Sequence, residues 1–142
     1  MLHSLKYTTD VPGGKAGAAR YWMIYIHPDY KGDEGLFQHE LLHVEQFWVA
    51  TGITLLFIGG FSLAFEEWIP LPLMLLSPFV HAILNKFIRP YRRLIETAAY
   101  RKQLEYPPAT KDVGYYRIFY AHYLSALYDL NITYEEAYEL LE

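Results

Sequence analysis

Residues 1–20 hold no sustained apolar run, and Pro12, Gly13, Gly14 and Gly17 mark a turning, irregular segment there. Residues 21–26 then read Tyr-Trp-Met-Ile-Tyr-Ile, a run of aromatic and β-branched side chains that predicts one short strand, closed by His27, Pro28 and Asp29. From Gly35 the apolar and histidine positions fall three and four apart, at Leu36, His39, His43, Gln46 and Phe47, which predicts a helix with Asp33 as its N-cap. Beyond Gln46 the polarity disappears: residues 47–65 carry no charge, and after Glu66 and Glu67 a second apolar stretch over 68–84 is interrupted by Pro70, Pro72 and Pro78. A basic cluster of Lys86, Arg89, Arg92 and Arg93 follows. Residues 91–104 predict another helix, with Leu94, Ile95, Ala98, Ala99 and Leu104 as its apolar set and Pro107 and Pro108 as its stop. Residues 113–130 form a Tyr-rich helical stretch, and Thr133 is placed to cap a last short helix. Together these elements predict an α+β, mostly α fold in a single domain, 1–142, with a short N-terminal β-sheet and an apolar helical hairpin over 47–84.

Composition narrows the functions open to such a chain. Twelve Lys and Arg stand against 16 Asp and Glu in 142 residues, a formal charge of −4. A protein built to neutralise phosphates is basic, so nucleic acid is not an expected partner. The absence of cysteine removes disulfides, thiolate metal sites and thiol nucleophiles. At 53% apolar and 20% charged residues the chain has too much to bury to be disordered. No apolar run behind a positive cluster opens the sequence, so no secretory signal is expected.

His39-Glu40-Leu41-Leu42-His43 is an HExxH motif inside a helical pattern. At 3.6 residues per turn, positions four apart sit one above the other, so the two imidazoles can face one metal ion. Neutral imidazole nitrogens with a carboxylate suit Zn²⁺, whose catalytic sites combine three protein ligands with a position left for water. Glu40, next to the first histidine, is placed to act as general base on that water. The best candidate for the third ligand is Glu96, a carboxylate between apolar neighbours on the 91–104 helix; the alternative is a solvated Glu96 paired with Arg92 or Tyr100. Glu66, Glu67, His81, Asp112 and His122 are reserves, and His81 fits a satisfied buried histidine better than a ligand.

The HELLH motif with Val44 and Gln46 after it, together with Glu96 in an E-x-x-A-Y-R setting, resembles a gluzincin-type zinc metallopeptidase of minimal size, similar to short HExxHxxQ proteins of bacteria and phages. The resemblance covers about residues 22–103. It implies His39, His43 and Glu96 as zinc ligands, Glu40 as general base, a peptide or protein substrate, and residues 22–26 as the edge strand along which an extended peptide lies. No motif assigns an oxyanion-stabilising group, for which His122, Tyr115, Tyr116 and Tyr123 are candidates.

The apolar middle admits two readings. Residues 47–65 and 68–84 are each at the lower edge of what spans a bilayer, and a hairpin would return the HExxH motif and Glu96 to one side, with the basic cluster beside them on the cytoplasmic side. Alternatively, partners bury the hairpin in a homo-oligomer or a larger complex such as a viral particle, because so short a chain has difficulty covering it alone. Two functions follow in parallel: a zinc peptidase, or a structural or assembly protein that retains a zincin-like metal site.

Overall fold

A computed structural model describes residues 2–65 and 71–142. Three short strands open the chain: β1 (Ser4–Tyr7), β2 (Gly17–Arg20) and β3 (Met23–Ile26). They form one sheet in the order β1-β3-β2, with β1 parallel and β2 antiparallel to β3. Strand β3 alternates as the run over 21–26 predicts, burying Ile24 and Ile26 and leaving Met23 and Tyr25 half-buried. The prediction begins two residues early, because Tyr21 and Trp22 form the two-residue link between the paired residues Arg20 and Met23. So tight a link needs left-handed backbone, and Tyr21 supplies it at φ 56°.

The expectation that residues 22–26 form the edge strand is corrected. β3 is the central strand, hydrogen-bonded on both sides, so no peptide can be added to it; the edge next to the motif helix is β2. The pairing of β2 also fixes which of its backbone groups are free. Ala16 accepts from the His27 amide at 2.8 Å, so Ala16, Ala18 and Arg20 spend their backbone groups on β3 while those of Gly17 and Ala19 point off the open edge.

Helix α1 (Glu34–Phe65) carries the HExxH motif and continues without interruption into the apolar segment. Asp33 caps it as predicted, its Oδ1 accepting from the Leu36 amide at 2.9 Å. Ile24 and Ile26 pack on Val44 of α1, with Leu36, Phe37, Leu41 and Trp48 around them, so the sheet lies across the first half of the helix. The return arm is a 3₁₀ segment (Leu71–Leu76) followed by α2 (Ser77–Phe87), which packs back along α1. Pro78 does not break α2; it occupies the first turn, where a missing amide costs nothing. The link expected at Glu66 and Glu67 and the break expected at Pro70 lie outside the described residues.

Helix α3 (Arg89–Leu104) starts two residues before the predicted helix. Arg92 holds the α2–α3 corner by donating to the carbonyls of Asn85, Lys86 and Tyr128. Helix α4 (Val113–Leu127) and helix α5 (Tyr134–Leu140) complete the fold, α5 behind the expected Thr133 cap, which here is a reciprocal capping box with Glu136. A second core joins α3, α4 and α5 through Tyr100, Leu104, Tyr120, Leu124, Ile132 and Leu141. The motif face of α1 thus lies between the core that α1 shares with the sheet and the core that α3 forms with α4 and α5.

Candidate metal centre

His39 and His43 lie on the face of α1 that turns toward α3, one helical turn apart, with their Nε2 atoms 3.2 Å from each other. Glu96 enters from α3, its Oε2 at 3.5 Å from His43 Nε2 and 4.0 Å from His39 Nε2. The ligand atoms of the three side chains all fall within 4.8 Å of one another, an arrangement that could hold a metal ion. Glu96 Oε2 is buried and receives no hydrogen bond among the described residues. A buried carboxylate oxygen facing two imidazole nitrogens calls for a positive charge between them, which a metal ion, or in its absence the proton on His43, supplies, so the donor set fits a metal.

The alternative for Glu96, a solvated carboxylate paired with Arg92 or Tyr100, does not hold. Glu96 is 6% exposed, Arg92 is committed to backbone carbonyls, and the Tyr100 hydroxyl meets that of Tyr128 at 2.9 Å.

Gln46 orients the second histidine. Its Oε1 accepts from His43 Nδ1 at 3.0 Å, which turns Nε2 toward the site, and its amide nitrogen donates to the Ile95 carbonyl at 3.2 Å. One side chain therefore sets the tautomer of a ligand and ties α1 to α3 beside Glu96. His39 is steadied by packing: the Tyr100 ring lies 4.5 Å from its own, and Gln103 stands beside it.

The charges in the site bias one another strongly. Burial, helped by the charge of His43, holds His39 well below its usual value, so it is neutral. Burial would also lower His43, but the adjoining Glu96 carboxylate, with Glu40 and Gln46, outweighs it and raises His43 to about 9. Burial pushes Glu40 up to about 7, with the charge of Glu96 adding to the rise, while His43, Lys15 and the Ala19 backbone amide act against it. A carboxyl poised near neutrality suits proton transfer at physiological pH.

Glu40 can approach the sheet because of Gly17. A Cβ there would meet Glu40 Oε1 and Leu36 Cδ1 at 3.0 Å, so glycine lets the open edge of β2 lie against the carboxylate. The site opens into a cavity of about 1190 Å³, to which β2 contributes Gly17 and Ala19 and α4 contributes Phe119, Tyr123 and Leu127. His43 keeps 14% of its side chain exposed, so the centre is reached by solvent.

The remaining candidates separate cleanly. His81 is buried and its Nδ1 meets the Tyr91 hydroxyl at 2.7 Å, the satisfied histidine expected, although it also borders the cavity. Asp112 is the N-cap of α4, and His122 is exposed on that helix. Glu66 and Glu67 lie outside the described residues. Of the four oxyanion candidates, Tyr116 and Tyr123 line the cavity, whereas Tyr115 and His122 do not. Sequence reasoning missed Lys15, Tyr100 and Tyr128, which also line it. Tyr100 had a signal, lying one turn after Glu96 on the same helix; Lys15 and Tyr128 reach the site only through tertiary packing, where the Lys15 ammonium sits 4.7 Å from the Tyr128 ring centre.

Comparisons of the chain with protein-family models, curated proteins and solved structures return no match.

Proposed function

We propose that this chain is a zinc-dependent hydrolase that cleaves peptide bonds. The observation that carries the reading is the convergence of His39, His43 and Glu96 on one solvent-reached point beside Glu40. Two imidazoles and one carboxylate are a donor set suited to zinc, which supplies Lewis-acid polarisation of a carbonyl and lowers the pKa of water. Glu40 takes the proton from the attacking water and delivers it to the leaving amine, so the carboxyl ends as it began. The Ala19 amide steadies the Glu40 carboxylate. An extended substrate pairs with the backbone groups of Gly17 and with the Ala19 carbonyl on the β2 edge, where small side chains leave room for it. The aromatic side chains that α4 presents to the cavity favour large apolar groups on that substrate.

The test is Glu40→Gln in the full chain, purified without chelator and compared with the parent for metal content and for cleavage of a peptide library. The parent is expected to carry about one zinc, with ligand number and type as in catalytic sites. The variant is expected to keep its metal and lose roughly 10²–10⁴-fold in rate. A variant that cleaves as fast as the parent, or a parent without metal, overturns the reading. A Glu40→Gln protein indistinguishable from its parent, alongside a His39→Ala protein that melts early, would make the metal structural instead.

A further inference from the structure

We propose that the apolar hairpin dips into a lipid bilayer and holds the metal centre at the membrane surface. The hairpin packs inside out. Along α1 the residues turned inward after Phe47 are Thr51 and Ser62, both buried, and α2 buries Ser77 at 1% exposure. At 100° per residue Thr51 and Ser62 point within about 20° of each other, so they mark one face. The opposite face is made of large apolar side chains: Leu56 is 78% exposed, Leu63 is 81% exposed, and Ile53 and Phe57 accompany them. On the return arm Leu75 is 79% exposed. A helix of a water-soluble protein turns its apolar stripe inward. Small polar residues between helices with leucine and phenylalanine outside is the arrangement of helices that pack in lipid.

That face is also wide. From Leu63 around to Phe65 the exposed apolar arc of α1 covers roughly 200°, and only 17% of the most apolar 18-residue stretch is buried. A groove on a partner or a second copy covers a stripe, whereas an arc this wide on α1, beside exposed Leu73, Leu75 and Leu76 on the return arm, calls for a surrounding medium. The length agrees: residues 47–65 extend about 28 Å as helix, close to the thickness of a hydrocarbon core.

Aromatic side chains gather at the root of the hairpin. Tyr21 and Trp22 are 41% and 48% exposed, and the Tyr21 ring packs at 5.7 Å from Phe47 and 6.0 Å from Phe79, joining both arms where they leave the sheet. Exposed tyrosine and tryptophan at that level form the collar that membrane proteins place at the lipid–water boundary. Lys86, Arg89 and Arg93 lie farther from the tip, on the water side, where anionic headgroups favour them. His43 precedes Phe47 by one turn, about 6 Å along the helix. The centre therefore sits at the boundary, and, taking it as the hydrolase described above, its substrates are polypeptide segments presented at a membrane surface.

The chain has no cysteine, so single spin labels can be placed at Leu56→Cys, Leu63→Cys and Tyr115→Cys in the full protein. Reconstituted into phosphatidylcholine–phosphatidylglycerol vesicles, the labels at 56 and 63 are expected to collide with oxygen and to be shielded from an aqueous nickel reagent, and the label at 115 to do the opposite. The parent floats with the vesicles, and a Leu56→Glu, Phe57→Glu double variant stays in the aqueous fraction with its metal content unchanged. A parent that remains in water as a defined oligomer, with the label at 56 silent to both reagents, overturns the proposal in favour of a second copy covering the hairpin. Accessibility needs no catalysis, so the two readings fail separately. A chain that inserts but cleaves nothing in detergent defeats only the hydrolase, and one that cleaves but never inserts defeats only the hairpin.

Discussion

Gln46 joins two parts of the site through one side chain, accepting from His43 Nδ1 and donating to the Ile95 carbonyl next to Glu96. Groups that orient a metal-binding histidine cost about 10–100-fold in metal affinity when removed. Gln46→Ala is therefore expected to weaken metal binding by that factor with the fold intact, as read by competition with a chelating dye and by circular dichroism. The charge on His43 makes metal uptake pH-dependent. Its pKa lies above the ordinary 6.5, at about 9, chiefly because Glu96 outweighs the effect of burial. At neutral pH an incoming ion must displace that proton, so affinity is expected to rise with pH and uptake to release protons. Calorimetry in buffers of different ionisation enthalpy measures both. The sign for stability follows from the same shift: the folded chain holds this proton more tightly than the unfolded one, so the contribution is present below pH 6.5 and lost as pH rises toward about 9. Chelated protein should lose stability through that window, and metal-loaded protein should not.

At the scale of elements, the parts read correctly from sequence are those decided by near neighbours. Asp33 and Thr133 cap helices through residues three positions on, and the i, i+4 spacing of His39 and His43 is a property of any helix. The strands β1 and β2 were not legible. Ser4–Tyr7 alternates polar and apolar residues over only four positions and is exposed at all of them, and Gly17–Arg20 is built from residues with little strand preference. Both are strands because β3 offers them partners, and pairing is not written in a local pattern. The same ignorance of pairing put the edge on residues 22–26 when it belongs to β2. Close approaches between elements are equally non-local. A Cβ on Gly35 would stand 2.7 Å from the Tyr106 carbonyl oxygen, where α1 crosses the end of α3. Gly35→Ala is expected to destabilise the protein by about 1–3 kcal/mol despite alanine's higher helix propensity. Urea unfolding of the two proteins checks this, and an equal or higher midpoint for the variant would contradict the crossing.

For the whole molecule, the candidate metal centre bridges α1 and α3, each anchored in a different core. An ion that binds only the folded arrangement adds RT ln(1 + [L]/Kd), about 4 kcal/mol at a thousand times Kd. Chelation is expected to lower Tm and re-addition of zinc to restore it; Glu40→Gln, which removes no ligand, should show the same difference between its loaded and chelated forms. Scanning calorimetry on both proteins decides it, and a Tm indifferent to chelator would mean the ion is not held between the helices. The sequence by itself determined the helices α1, α3, α4 and α5 to within a few residues, the caps at Asp33 and Thr133, the HExxH pair and the suspicion about Glu96, because a carboxylate among apolar neighbours on a helix must face something; the cap at Asp112 and the course of α2 came only with the structure. The sequence also determined that residues 47–65 have no charged side chain with which to meet water. Only the tertiary structure decided that Glu96 reaches both histidines, that Gln46 locks one of them, that β2 is the open edge beside Glu40, and that Lys15, Tyr100 and Tyr128 share the cavity. Those are relations between segments far apart in the chain, set by which faces pack together, and no local periodicity encodes them.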